Sequence, residues 1–224
     1  MDLEKYKNYK VKILDKLNNN KEGIFSKVIF VGDCKVGKSS IVKKLTKNIF
    51  SLEYTPTSGY DFYPYIIKIE DICIRFQIWD MCGKENYRSA LFNLYRNASL
   101  GILVYSINDY KSFKNLDDWI SQMKENGATN SKIILLGNKA DDEENREVSF
   151  NEGKQMCQKY NLELFMEVSA KNGLNSPNFL EIAAIHLYEE YMLQGDKTTS
   201  TMNNNESVNL SQAFENQKEV KCCL

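Results

Sequence analysis

The sequence predicts an α/β fold, a mostly parallel sheet covered by helices on both faces. Three features lead there. Between residues 23 and 194, short apolar runs alternate with amphipathic stretches, the order expected of strand–helix units. Runs such as 100–107 are apolar throughout, without the every-other-residue pattern of a half-exposed strand, as strands covered on both faces are. The length, 224 residues, suits one large domain or at most two small ones.

Residues 1–22 are polar and lysine-rich, with Leu3, Tyr6, Ile13, Leu14 and Leu17 at loosely helical spacing, and lead into the disorder-prone run 18–23. They read as a solvated, frayed extension, the alternative being an amphipathic docking helix. Residues 26–31 form a buried strand, followed by a glycine-rich turn and a helix through about Leu45. Residues 65–69 and 73–79 read as a strand pair, with Pro64 tolerable only near a sheet edge because it lacks an N–H. Next come a strand over 100–107, a helix over 112–126, a strand over 133–137 and a helix over 152–160. A last strand, 164–168, precedes the final helix at 178–192. Residues 195–221 hold few apolar anchors and read as a flexible linker. The expected organisation is an extension over 1–24, a folded domain over 25–193 and a flexible tail over 194–224.

Composition removes several classes of function. With 29 basic and 30 acidic residues the net charge is −1, so no bulk attraction to nucleic acid is expected. The single histidine, His186, excludes a metal site built on two histidines and leaves one candidate base for a Ser-His-Asp triad. No apolar run approaches the ~20 residues a membrane helix needs, and no signal peptide opens the chain. Four of the six cysteines, Cys34, Cys73, Cys82 and Cys157, are scattered without zinc-type spacing, which fits thiols in a reducing compartment.

In a parallel sheet of this kind ligands bind at the carboxyl ends of the strands, so the polar motifs should gather there. The strongest is Gly32-Asp33-Cys34-Lys35-Val36-Gly37-Lys38-Ser39, a G-x-x-x-x-G-K-S pattern between a strand and a helix. Its glycines let the main chain curl so that successive N–H groups face phosphate oxygens, and the helix N-terminus adds a positive dipole end. The stretch from Asp33 through Ser40 would line the phosphates, Lys38 would reach the β- and γ-phosphates, and the Ser39 hydroxyl would ligate Mg²⁺.

The base is chosen elsewhere, by Asn138-Lys139-Ala140-Asp141 after the strand at 133–137. The Asp141 carboxylate would accept from guanine N1–H and the exocyclic amine, a donor pair that adenine lacks. Leaving it unpaired against adenine would cost several kcal/mol. Asp80 ends the strand at 73–79 and is suited to hold Mg²⁺ through water, while Gly83 would let its N–H approach a γ-phosphate. The N–H groups of Ser169, Ala170 and Lys171 would meet the guanine O6. Thr57, in a loop with Pro56 and Gly59, would add a second hydroxyl to Mg²⁺ when a γ-phosphate is present.

Together these residues resemble a small GTPase of the Ras superfamily, and most closely the Rab family. The likeness runs from about Lys27 to Tyr191, roughly three quarters of the chain, and includes TSGYDF over 57–62, FQIWDMCG over 76–83, Tyr87-Arg88-Ser89, LYRNA over 94–98 and VSAKNG over 168–173. The resemblance implies a P-loop GTPase fold with a six-stranded sheet and about five helices, GTP or GDP with Mg²⁺, and work in membrane trafficking. It implies effectors that read two mobile loops, an exchange factor, a GTPase-activating protein and a dissociation inhibitor or escort protein. By position, Phe50 should stack on the guanine, Thr57 sits in the first switch and Gly83 anchors the second.

The departures from that family pattern carry information of their own. Lys84 stands where the family has the glutamine that orients the attacking water, so intrinsic hydrolysis should be weak. Lys35 adds charge beside the phosphates, and Met81-Cys82 replaces the commoner Thr-Ala as a packing change. The ending Lys221-Cys222-Cys223-Leu224 is not a C-a-a-X box but resembles the paired-cysteine terminus that receives geranylgeranyl groups. Two lipids would anchor the protein stably to the cytoplasmic face of an intracellular membrane, from which it would cycle with the cytosol. The leading reading is a Rab-like GTP/GDP switch. A nucleotide-bound scaffold with little turnover is the alternative, and a P-loop kinase the weakest reading.

Overall fold

The computed structural model describes Tyr6 and residues 8–14, 23–83, 92–126 and 132–201, the stretch 194–201 by its backbone alone. Lys84, Tyr87-Arg88-Ser89, Cys222 and Cys223 therefore lie outside the described residues. The chain divides into two units, Met1–Tyr188 and Glu189–Leu224.

The first unit is built on a single sheet whose strands are β1 (Val11–Leu14), β2 (Gly23–Val31), β3 (Tyr60–Ile69), β4 (Ile72–Met81), β5 (Leu100–Ser106), β6 (Lys132–Asn138) and β7 (Leu164–Glu167). Their order in space is β1-β3-β4-β2-β5-β6-β7. β2 pairs in parallel with β4 and β5, and β5–β6 and β6–β7 are parallel too, while β3 runs antiparallel to β1 and β4. The helices are α1 (Lys38–Lys47), α2 (Phe92–Tyr95), α3 (Tyr110–Lys114), α4 (Leu116–Asn126), α5 (Phe150–Lys159) and α6 (Asn178–Thr201). The α/β class and the mostly parallel sheet stand as expected, but the sheet has seven strands among the described residues rather than six.

Period-two alternation along β2 divides the core. Val28 and Phe30 face one side of the sheet, with Ile41, Ile67, Phe179 and Leu180. Ile29 and Val31 face the other, with Leu103, Tyr105, Trp119 and Ile120. Each side is apolar, which is why the strands read as continuous hydrophobic runs. Local signals set the helix starts. Ser149 and Glu152 form a reciprocal capping box, so α5 begins at Phe150, two residues before the predicted start. Asp109 accepts from the Ser112 N–H at 3.2 Å and opens α3.

The seventh strand corrects the reading of the N-terminal extension. Residues 11–14 are neither frayed nor helical; they pair with β3 from Leu14 opposite Ile66 to Val11 opposite Ile69. Ile13 stays 43% exposed, so backbone pairing along a sheet edge orders this segment more than apolar burial does. Ahead of it, the Tyr6 hydroxyl lies 2.9 Å from His186 Nε2, and the Tyr9 ring packs edge-on against Tyr188. His186 Nδ1 in turn sits 2.8 Å from a Glu163 oxygen, so the sole histidine is a packing residue of α6. β3 also begins five residues earlier than predicted, at Tyr60, and passes through Pro64. Because β1 covers β3 only from Ile66 onward, Pro64 lies where the sheet edge is open among the described residues, as its missing N–H requires.

In the second unit the α6 backbone continues to Thr201, with Tyr191, Met192 and Leu193 exposed. Among the described residues no helix is long and apolar enough to cross a membrane.

Candidate functional site

The parallel strands end on one side of the sheet, and the motif loops follow them there. The 32–39 loop leaves β2 and opens α1, residues 81–83 end β4, residues 138–141 follow β6, and residues 169–171 follow β7. Together with the irregular segment 49–57 they enclose a cavity of about 690 Å³. Its lining carries Lys35, Lys38, Lys43, Lys139 and Lys171 against Glu53, Asp141 and Asp142, a cationic surplus suited to an anionic ligand.

The first loop is shaped by Gly37, whose φ of 95° lies in the left-handed region; a Cβ there would stand 2.2 Å from Asn138 Nδ2. Lys38 is buried, and its Nζ donates to the Gly32 and Asp33 carbonyls, both at 2.8 Å. Burial lowers the Lys38 ammonium below its ordinary value, and the Asp80 carboxylate opposes that fall. Asp33 contributes backbone to the loop and sends its side chain elsewhere: the carboxylate accepts from Asn115 Nδ2 at 2.6 Å and Trp119 Nε1 at 2.7 Å. That pair ties the loop to α3 and α4. Val36 is fully buried and likewise offers only main chain.

Below the loop lies Asp80, wholly buried, with no hydrogen-bond partner for either carboxylate oxygen. Burial pushes its carboxyl up to about 6, although the nearby Ser39 hydroxyl and Lys38 ammonium favour the charged form. The Ser39 and Thr57 hydroxyls meet at 2.8 Å in the same region. An orphaned buried carboxylate beside two converging hydroxyls is the oxygen donor set of a hard divalent cation, and the residues present fit Mg²⁺. The closing loops are latched to one another. The Cys82 N–H donates to the Gly59 carbonyl at 2.8 Å, and a Cβ on Gly83 would lie 2.6 Å from the Asp33 oxygen and the Cys34 nitrogen. Met81 and Cys82 are buried in the core and also line the cavity.

The far end of the cavity is braced by side chains that hold one another. Asn138 Nδ2 donates to the Val36 carbonyl at 2.8 Å and its Oδ1 accepts from the Ala170 N–H at 3.2 Å. Its amide thus joins the first loop to the last. One Asp141 oxygen accepts from Ser169 Oγ at 2.5 Å and the other lies 3.4 Å from Lys171 Nζ. Ser169 Oγ also accepts from the Lys171 N–H at 3.2 Å, so that donor is engaged within the loop. Ser40, Phe50 and Lys139 line the walls, Phe50 also packing against the core.

The sequence reading missed Lys43 and Tyr54. Lys43 was findable, one helical turn after Ser39 on the same face of α1. Tyr54 lies in a segment without periodicity and offers no such signal. Beside the cavity, Trp79 packs between Tyr60 and Phe62, at ring distances of 5.1 and 5.2 Å, and those two rings are about half exposed.

Comparison with known proteins agrees with this arrangement. The Ras family profile matches residues 27–189. The Ras-related protein Rab-11B of Dictyostelium discoideum is 39% identical over 182 residues, 80% of either chain. RABA1g of Arabidopsis thaliana is 33% identical over 203 residues, 88% of this chain and 93% of its own. Rab-11A of Dictyostelium discoideum is 39% identical over 149 residues, 66% of this chain and 69% of its own.

Proposed function

Since this chain belongs to the Ras family and, within it, to the Rab-type small GTPases, we propose that it is a membrane-anchored GTP/GDP switch in vesicle trafficking. Members of the family bind GTP or GDP with Mg²⁺ and hydrolyse GTP. In this reading residues 25–193 form the GTPase domain and 194–224 a tail that ends in the lipid-bearing Cys222 and Cys223.

Ser39, Thr57 and Asp80 would hold Mg²⁺, the hydroxyls directly and Asp80 through water. Bound Mg²⁺ neutralises charge on the β- and γ-phosphates. Lys38 would exchange the Gly32 and Asp33 carbonyls for phosphate oxygens, keeping its buried ammonium paired. The main-chain N–H groups from Asp33 to Ser40 would line the phosphates. Asp141, oriented by Ser169, would select guanine, with Phe50 and Lys139 walling the base. Gly83 would bring its N–H to the γ-phosphate. Lys84, unable to donate to and accept from one water as an amide does, would leave intrinsic hydrolysis slow and dependent on an activating protein. Ordered loops at 49–59 and 81–83, with Tyr60, Phe62 and Trp79, would present the surface that effectors read, and hydrolysis would release it. An exchange factor and an escort protein complete the cycle.

The observation that carries this reading is the orphaned Asp80 beneath the Ser39 and Thr57 hydroxyls, which line the same cavity as Asp141. Isothermal titration with Mg²⁺ tests it: GDP and GTP should bind and ATP should not compete. No heat with guanine nucleotides would overturn it. Lys84 favours one rival, a scaffold that binds nucleotide and hydrolyses almost none. Single-turnover hydrolysis with and without an activating protein separates the two, and stimulated turnover eliminates the scaffold.

A further inference from the structure

Lys35 occupies the third variable position of the phosphate loop, with a φ of 64° in the left-handed region that favours glycine. A long cation there needs a reason other than backbone economy. Its Nζ lies 5.6 Å from the centre of the Tyr54 ring. Tyr54 comes from the opposite wall, the irregular segment between α1 and β3, and is 51% exposed. Both residues line the cavity, one rooted in the phosphate loop and one in the loop that carries Thr57.

We propose that Lys35 is a positioning residue that clasps Tyr54 across the mouth of the cavity and slows nucleotide release. This rests on the nucleotide-switch reading above. A phosphate group beneath Lys35 strengthens the arrangement, because the ammonium then lies between an anion and the negative face of an aromatic ring. For a nucleotide to leave, the 49–57 segment must lift, and lifting it separates Tyr54 from Lys35. The clasp therefore adds to the barrier for release. A purely electrostatic hold on phosphate by Lys35 would not depend on Tyr54 at all.

The test follows release of a fluorescent GDP analogue from the full chain in Mg²⁺, chased with unlabelled GDP. Lys35→Met keeps the backbone strain and removes only the charge, which Lys35→Gly would not. Tyr54→Leu removes the ring at a half-exposed position where the fold does not depend on it. Each should speed release roughly two- to five-fold, the range expected of a cation–π contact at an exposed site. The double variant should be no faster than the faster single one, and Lys35→Arg and Tyr54→Phe should release at the wild-type rate. Single variants at the wild-type rate, multiplying effects in the double variant, or Tyr54→Phe as fast as Tyr54→Leu would overturn the clasp. A chain that binds the analogue but releases it unchanged refutes the clasp alone, whereas one that binds none refutes the switch reading with it.

Discussion

Asp80→Asn should stabilise the protein when nucleotide and metal are removed, and cripple it when they are present. A carboxyl pushed from an ordinary 3.8 up to about 6 has its charged form disfavoured by about 3 kcal/mol in the folded state. That figure already contains the attraction of Lys38, which is among the causes acting on the same group. The sign follows from the two protonation states. Below pH 3.8 Asp80 is neutral whether folded or unfolded and costs nothing. Between 3.8 and about 6 the unfolded chain ionises while the folded chain keeps Asp80 protonated, so the cost grows with pH, and above about 6 it applies in full. Asparagine keeps the shape but still buries polar atoms, so the gain at pH 7.5 should be about 1–3 kcal/mol. Urea unfolding in EDTA, at pH 7.5 and 4.5, measures it: the advantage of the variant over wild type should shrink by about 2 kcal/mol at the lower pH. In Mg²⁺ and GDP the order should reverse, because the cation that wants Asp80 ionised has lost its carboxylate. A variant less stable than wild type in EDTA at pH 7.5, or an advantage equal at both pH values, would refute the reasoning.

Three further outcomes can be checked directly. Gly83→Ala places a methyl 2.5–2.6 Å from the Asp33 carbonyl and the Cys34 nitrogen, backbone atoms that cannot swing aside, and should cost about 1–3 kcal/mol in thermal or urea unfolding. Asp141→Ala should lower the preference for GDP over ADP by about 100-fold in competition binding, with two charge-assisted hydrogen bonds lost. Tyr6→Phe deletes the bond to His186 of α6 and should lower the unfolding free energy by about 1 kcal/mol without altering nucleotide affinity, since neither residue lines the cavity.

What could be read in the chain is what is local. The 32–39 loop declares itself because a strand, a glycine turn and a helix N-terminus follow one another within a few residues, so spacing alone implies the geometry. The apolar strands could be read for the same reason: period and burial are properties of contiguous sequence. The candidate site's supporting contacts could not. Asp33 looked like a phosphate-loop residue, yet its carboxylate is claimed by Asn115 and Trp119, more than 80 positions away. Asp141 was legible as a base reader, but the Ser169 hydroxyl that orients it lies 28 positions on. Residues 11–14 carry no pattern that demands a strand; they become one because the edge of β3 offers unpaired backbone groups beside them.

The sequence by itself determined the fold class, the order of the units and the chemical identity of the loops, because each depends on neighbours along the chain. Only the tertiary structure decided the seventh strand, the orphaned Asp80 and the Lys35–Tyr54 contact. Desolvation and long-range pairing depend on which distant residues close over a group, and no local spacing encodes that.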